Sequence, residues 1–266
     1  MSDRSPDDYA LLDHPIVLTF LFHPRPSYGA PGSFAAAQDK LIPVADDAAI
    51  GARFHLNEPT DPNILLFHGN GEIVDDYDEL GSVYNQMGIN LLAVDYRGYG
   101  RSTGEPSCSA MMKDCHPIFH FVTRWLADHH YSGPLFVMGR SLGSASALEL
   151  AQHYPDQIAG IIIESGFAYT MPLFQLIGID PRALGFQESD GFENLAKIKT
   201  IAKPTLIIHA ERDHIIPFSD GQALYDASPA VEKRLLKIPL ANHNNILSLG
   251  FSDYMKAIKL FCYLLP

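Results

Sequence analysis

The chain has 266 residues, 47% of them apolar and 19% charged, enough to bury a sizeable core and unlike a disordered or fibrous protein. With 31 acidic against 19 basic side chains the formal charge is −12, an excess that repels nucleic-acid phosphates and anionic lipid surfaces, so no nucleic-acid partner is expected. Three cysteines, Cys108, Cys115 and Cys262, cannot all be paired and fit no zinc-knuckle or CxxC spacing, which points to a reducing compartment.

In chain order, the first apolar stretch is Pro15 to Phe22, behind Asp3, Asp7, Asp8 and Asp13. It lacks the positive flank of a secretory signal and falls short of the roughly 20 apolar residues of a membrane span. The expectation is a cytoplasmic protein with no membrane span, or one trimmed of its targeting segment. Lys40 to Val44 and Ile50 to Leu56 read as short strands that add antiparallel pairs at a sheet edge. Apolar runs bounded by turn residues then recur at Asn63 to Phe67, Asn90 to Val94, Leu135 to Met138, Ala159 to Ile163, Pro204 to His209 and Arg234 to Ile238. Each is short, continuous and rich in Ile, Leu or Val, the pattern of strands buried on both faces of a parallel sheet.

Helical spacing fills the gaps, over Asp75 to Met87, Ser107 to Asp128, Leu142 to His153, Ser219 to Ala227 and Asn244 to Leu265. Pro117 is expected to interrupt and kink the second of these. The alternation predicts an open α/β sheet, mostly parallel, with helices on both faces. From Phe167 to Thr200 the period breaks into helical fragments without a strand, around Met171, Pro172, Pro181, Gly185 and Gly191. With no repeat and no linker, the expectation is one domain over 1–266 carrying a short insertion at 167–200.

The strongest chemical signal is Gly139-Arg140-Ser141-Leu142-Gly143, placed after a strand and before a helix. In that context GxSxG is a nucleophile elbow, with a serine on a strained turn and glycines that leave room for it. A serine hydroxyl is a poor nucleophile unless a base takes its proton, so a histidine is required and a carboxylate should orient it. Asp213, after the fifth parallel strand, and His243, before the last helix, fill those places in the order Ser, acid, His. Glu211 and Glu164 compete as acids, Glu164 more credibly because it ends the strand after the elbow helix.

His68-Gly69-Asn70-Gly71-Glu72 reads two ways at once, as a glycine turn capped by Glu72, Asp75 and Asp76 and as one side of an oxyanion hole. The backbone amides of Asn70 and Leu142 are its candidate donors, and His68 supports the loop. Most of the 12 histidines are expected to do nothing; His129 and His130 only favour a helix end. His116 and His120 have the i,i+4 spacing of a metal pair, but there is no HExxH and Pro117 disturbs the helix between them, so no metal is expected.

Taken together, His68 to Gly71, Asp95-Tyr96-Arg97-Gly98-Tyr99-Gly100-Arg101-Ser102, Gly139 to Gly143, Asp213 to Pro217 and His243 resemble the serine α/β-hydrolases. Within these the chain looks most like the ABHD-type and acylaminoacyl-peptidase-like hydrolases, from about Leu41 to the C-terminus. The resemblance implies an α/β-hydrolase fold, a triad of Ser141, Asp213 and His243, and no cofactor, with Asp95 to Ser102 a structural turn. It places the family's cap at 167–200, where Phe167, Tyr169, Met171, Leu173, Phe174 and Leu176 read equally as an acyl pocket or as plain core. Many relatives carry an N-terminal membrane anchor that is not seen here, which weighs against membrane-lipid or lipidated-protein substrates. The activity expected is cleavage of a small acyl ester through an acyl-enzyme. Its alternatives are a thioesterase or small-peptide amidase with the same residues, and a binding or scaffolding protein on the same fold.

Overall fold

The computed structural model describes residues 6–29, 37–176 and 178–264. Eight strands, β1 (Gln38–Ala45), β2 (Ala48–His55), β3 (Asn63–Phe67), β4 (Asn90–Val94), β5 (Leu135–Arg140), β6 (Gly160–Glu164), β7 (Thr205–Ala210) and β8 (Lys233–Ile238), form one sheet in the order β1-β2-β4-β3-β5-β6-β7-β8. Only β2 runs against its neighbours, antiparallel to β1 and to β4. The pairs from β4 through β3, β5, β6 and β7 to β8 are all parallel.

The parallel strands read as unbroken apolar runs because side chains alternate across the sheet and both faces are covered. Leu65, Phe67, Leu92, Val94, Val137, Ile161 and Ile163 pack on one face with α3 (Cys108–Asp128) and α4 (Ser144–His153). Ile64, Leu66, Leu91, Phe136, Met138, Ile162 and Leu206 pack on the other with α2 (Asp78–Gln86) and α8 (Ile246–Leu264). Two shorter helices, α5 (Thr170–Leu176) and α6 (Asn194–Ile198), lie between β6 and β7 with no strand among the described residues there, and α7 (Phe218–Ala227) links β7 to β8. The first short helix, α1 (Pro15–Leu21), precedes β1 and starts with proline in its first turn. All three cysteines are buried and free, Cys108 and Cys115 on α3 and Cys262 on α8.

Two elements depart from the sequence reading. The helix expected over Asp75 to Met87 is a 3₁₀ turn at Val74–Tyr77 followed by α2. Pro117 does not interrupt its helix: α3 runs unbroken from Cys108 to Asp128, with the Ser107 hydroxyl accepting from the Ala110 amide at its start. Met111, Met112, Cys115, Ile118, Phe119, Val122 and Trp125 bury one side of α3 on both sides of the proline. That packing outweighs the roughly 3 kcal/mol that a proline costs inside a helix. The end of the last expected helix, Leu265, lies outside the described residues.

Candidate active site

The loops that carry Asn70, Ser141, Phe167, Asp213 and His243 leave the same edge of the sheet. Phe67 pairs with Gly139, Arg140 with Glu164, Glu164 with Ile208, and Ala210 with Ile238, so the carboxyl ends of β3, β5, β6, β7 and β8 stand side by side. Ligands of parallel α/β sheets bind at that edge.

Ser141 follows β5 directly with φ of +50°, a left-handed conformation that a side-chain-bearing residue adopts at a cost. The turn is tight on both sides. A Cβ at Gly139 would overlap the Gly143 carbonyl, and one at Gly143 would overlap the carbonyl of Phe67 in β3. The Ser144 hydroxyl closes the turn by donating to the Ser141 carbonyl at 2.6 Å, and α4 begins there.

From β7, the chain turns through Asp213, whose Oδ1 accepts from the amides of Ile215 at 3.0 Å and Ile216 at 2.8 Å. That leaves Oδ2 to accept from His243 Nδ1 at 2.7 Å, and His243 Nε2 lies 3.0 Å from Ser141 Oγ. With Nδ1–H given to the carboxylate, Nε2 is the acceptor for the serine hydroxyl. Burial by itself would raise the Asp213 carboxyl, yet the hydrogen bond and charge of His243, with the two amides, hold it below its ordinary value. His243 is carried by a loop of local turns in which Asn242 Oδ1 accepts from the Asn244 and Asn245 amides and Asn245 Oδ1 from the Asn242 amide. An asparagine run is therefore a folding signal here. The residues Ser141, Asp213 and His243 are nearly sealed, at 8%, 8% and 4% relative exposure.

The competing acids are occupied elsewhere. Glu164 accepts from Arg140 Nε at 3.1 Å and from the Tyr254 hydroxyl at 2.7 Å, and Glu211 accepts from the Leu240 amide at 2.9 Å. Asn70 and Leu142 line one cavity with Ser141. The Asn70 amide group is tied down: Oδ1 accepts from the His23 amide and the Tyr99 hydroxyl, and Nδ2 meets His23 Nδ1 at 2.7 Å. His68 is wholly buried beneath this loop between the Gly69 carbonyl and Asp95, not facing the cavity.

Two connected spaces open at Ser141. One, of about 100 Å³, is apolar and lined by Phe20, Leu21, Phe167, Leu173, Leu176 and Ile215. The other, of about 630 Å³, is more polar and reaches His23, Glu72, Arg140, His214, His243 and Asn244. Of the expected pocket residues Phe167, Leu173 and Leu176 are there, and three are not. Phe174 is fully buried against Phe186, Met171 packs on the core, and Tyr169 faces a separate surface hollow. The sequence reading also passed over Phe20 and Leu21. Their signal is the apolar spacing of Val17, Phe20 and Leu21 after a helix-starting Pro15, a stretch the sequence reading weighs against a secretory signal and a membrane span but not as a cavity wall.

Away from this edge, His116 and His120 do not face each other as a metal pair. His116 Nδ1 lies 2.8 Å and His120 Nε2 3.2 Å from the same Tyr154 hydroxyl. His116, Glu149 and His153 do bring one potential ligand atom each within 4.8 Å of one another, but the Glu149 carboxylate already pairs with the Lys197 ammonium.

The order of the sheet, its single reversed strand and the turn at Ser141 define an α/β-hydrolase fold. The Pyrococcus furiosus esterase Pf2001 shares it over 90% of this chain and 97% of its own, with a TM-score of 0.70 at 19% identity. The family model described as serine aminopeptidase, S33, matches residues 58–178. Lysophosphatidylserine lipase ABHD12 of Xenopus tropicalis is 32% identical over 199 residues, 66% of this chain and 50% of that protein. Human alpha/beta hydrolase domain-containing protein 17C is 31% identical over 225 residues, 82% of this chain and 63% of that protein. The chain thus spans between half and two thirds of the length of these relatives. It belongs to the ABHD-type serine hydrolase superfamily.

Proposed function

We propose that this hydrolase cleaves carboxylic acyl esters through a covalent acyl-enzyme on Ser141. The observation that carries the reading is the unbroken chain Asp213–His243–Ser141, at 2.7 and 3.0 Å, opening onto a cavity. His243 Nε2 takes the hydroxyl proton as Oγ attacks the ester carbonyl. Asp213 fixes the tautomer and stabilises the imidazolium. The carbonyl oxygen turns toward the amides of Asn70 and Leu142, the latter in the 3₁₀ turn that leads into α4, whose dipole favours negative charge there. Collapse returns the proton from His243 to the departing alkoxide, and water repeats the sequence to free the acid and restore Ser141.

The apolar space under Phe20, Leu21, Phe167, Leu173 and Leu176 suits the acyl chain, with residues 167–200 as its cap, and the polar space suits the alcohol. The names of the lipase and esterase relatives support an ester over a peptide. Three free, buried thiols support a reducing location such as the cytoplasm. The test is labelling by a fluorophosphonate, followed by turnover of p-nitrophenyl esters of increasing acyl length. Stoichiometric labelling that maps to Ser141 with ester turnover is expected; an unlabelled, folded protein would overturn the proposal.

A further inference from the structure

Arg140 occupies the variable position of the Gly139–Gly143 turn, where a side chain is usually read as filler. Its side chain is 13% exposed and touches the end of β6 and two separate loops. Nε donates to Glu164 Oε1 at 3.1 Å, Nη1 pairs with Glu72, and Nη2 donates to the backbone carbonyl of His243 at 3.0 Å. Each carboxylate is held from its far side as well. The Tyr254 hydroxyl donates to Glu164 and the Tyr77 hydroxyl to Glu72, both at 2.7 Å, and Glu72 Oε2 also accepts from the Gly69 amide at 2.8 Å. Glu72 thereby grips the residue next to Asn70, and a Cβ at Gly69 would overlap Arg140 Nη1.

What lies behind this network matters as much. On its far side is a cavity of about 500 Å³ between α2 and α8, lined by Leu80, Val83, Met138, Ile246, Phe251 and Tyr254 along with Arg140 itself. Asn244 borders both that cavity and the space at Ser141. Close-packed side chains are therefore not what supports the His243 loop from this direction; the hydrogen bond from Arg140 is. A guanidinium can serve three acceptors at once because its donors are fanned in one plane, whereas a lysine ammonium on a flexible stem cannot reproduce that geometry.

We infer that Arg140 is a positioning residue, holding the His243 loop and the Asn70 loop in register with Ser141. This rests on the hydrolytic reading of those three residues. The group itself touches no reacting atom. Its effect is on alignment, and a displacement of about 1 Å at a reacting pair can cost on the order of 10²-fold in rate.

The experiment compares wild type with Arg140→Met and Arg140→Lys for ester kinetics, thermal midpoint and the downfield proton resonance of His243 Nδ1–H against Asp213. For Arg140→Met, kcat is expected to fall about 10²-fold with KM changed less than about threefold, and the resonance to be lost or moved upfield. Arg140→Lys should recover part of the rate, and guanidinium ion at sub-denaturing concentration should raise kcat of Arg140→Ala. If Arg140→Met does not fold, Glu72→Gln and Arg140→Lys carry the same comparison, each with a loss of roughly tenfold. A variant that keeps kcat and the resonance while its thermal midpoint drops would overturn the inference and leave the guanidinium as a stabiliser only. Wild type that neither labels nor turns over would instead sink the hydrolytic reading, and the resonance would still decide the role of Arg140.

Discussion

Two histidine–carboxylate clusters border α4. At its start, Asp213 and His243 meet Ser141. Along its body, Glu149 and His153 meet His116 of α3, Lys197 of α6 and the Tyr9 hydroxyl. The residue types are nearly the same and the chemistry available is not. In the first cluster the carboxylate meets the His243 imidazole, two amides and, at 3.6 Å, the ring of His209, with no lysine or arginine among the described residues paired to it, and the far imidazole nitrogen faces a neutral hydroxyl at the wall of a cavity. In the second a lysine ammonium neutralises the carboxylate at once. Burial would raise the Glu149 carboxyl, but the hydrogen bond from His116 and the charge of Lys197 push it down to about 2. A histidine beside a carboxylate is therefore poised for proton transfer only where no stronger cation has taken the carboxylate first.

The sharpest way to break this comparison is Ser141→Ala, which should abolish phosphonate labelling and lower kcat by 10⁴-fold or more, in order-of-magnitude terms, with the thermal midpoint little changed. The matching substitution at the acid, Asp213→Asn, fixes the wrong imidazole tautomer and should lower kcat on the order of 10⁴-fold in a folded protein. Glu164→Gln should cost far less, since its amide oxygen can still accept from Arg140 while its NH2 donates to the Tyr254 hydroxyl. The reverse ranking in steady-state kinetics would make Glu164 the triad acid.

At the second cluster the effect moves from rate to stability. Glu149→Gln leaves Lys197 buried without its counter-charge and should destabilise by about 3 kcal/mol in urea unfolding, while activity per folded molecule is kept. The pH sign follows from the depressed carboxyl. Its contribution is fully present above the ordinary value of 4.5 and is lost as pH falls toward 2, so the gap between wild type and variant should close over that window. The smallest effect expected is at the cavity. Leu173→Ala should lengthen the preferred acyl chain by one or two carbons, whereas Tyr169→Ala, outside that space, should leave the chain-length profile of a p-nitrophenyl ester panel unchanged.

The sheet was legible because strands buried on both faces are mostly Ile, Leu and Val, so Asn63–Phe67 and Asn90–Val94, each with one buried asparagine at its start, stand out as apolar runs with clear ends. Strain made Ser141 legible, since only glycines at 139 and 143 leave room for its backbone. Asp213 and His243 were found by their order after those strands, and the structure brings them to Ser141. What sequence pattern did not show depends on tertiary contact. Phe174 and Leu173 are neighbours on α5, and only the way that helix packs turns one into the core and the other to the cavity. Pro117 signalled a break that packing of α3 overrode. Arg140 carries no signal of its role in the sequence, because its three acceptors come from residues 72, 164 and 243, far apart in the chain.

The three thiols carry a consequence for watching this molecule move. Burial pushes Cys262 up to about 12 and Cys108 and Cys115 well above the ordinary thiol range, so the native protein holds almost no thiolate for an alkylating reagent to meet. Two of them ride on α3 over one face of the sheet and the third on α8 over the other. Alkylation in native buffer thus becomes a clock with two hands. Modification of Cys262 ahead of the other two reports that the C-terminal helix lifts off by itself, and simultaneous modification of all three reports that both helical layers open only when the whole sheet is lost.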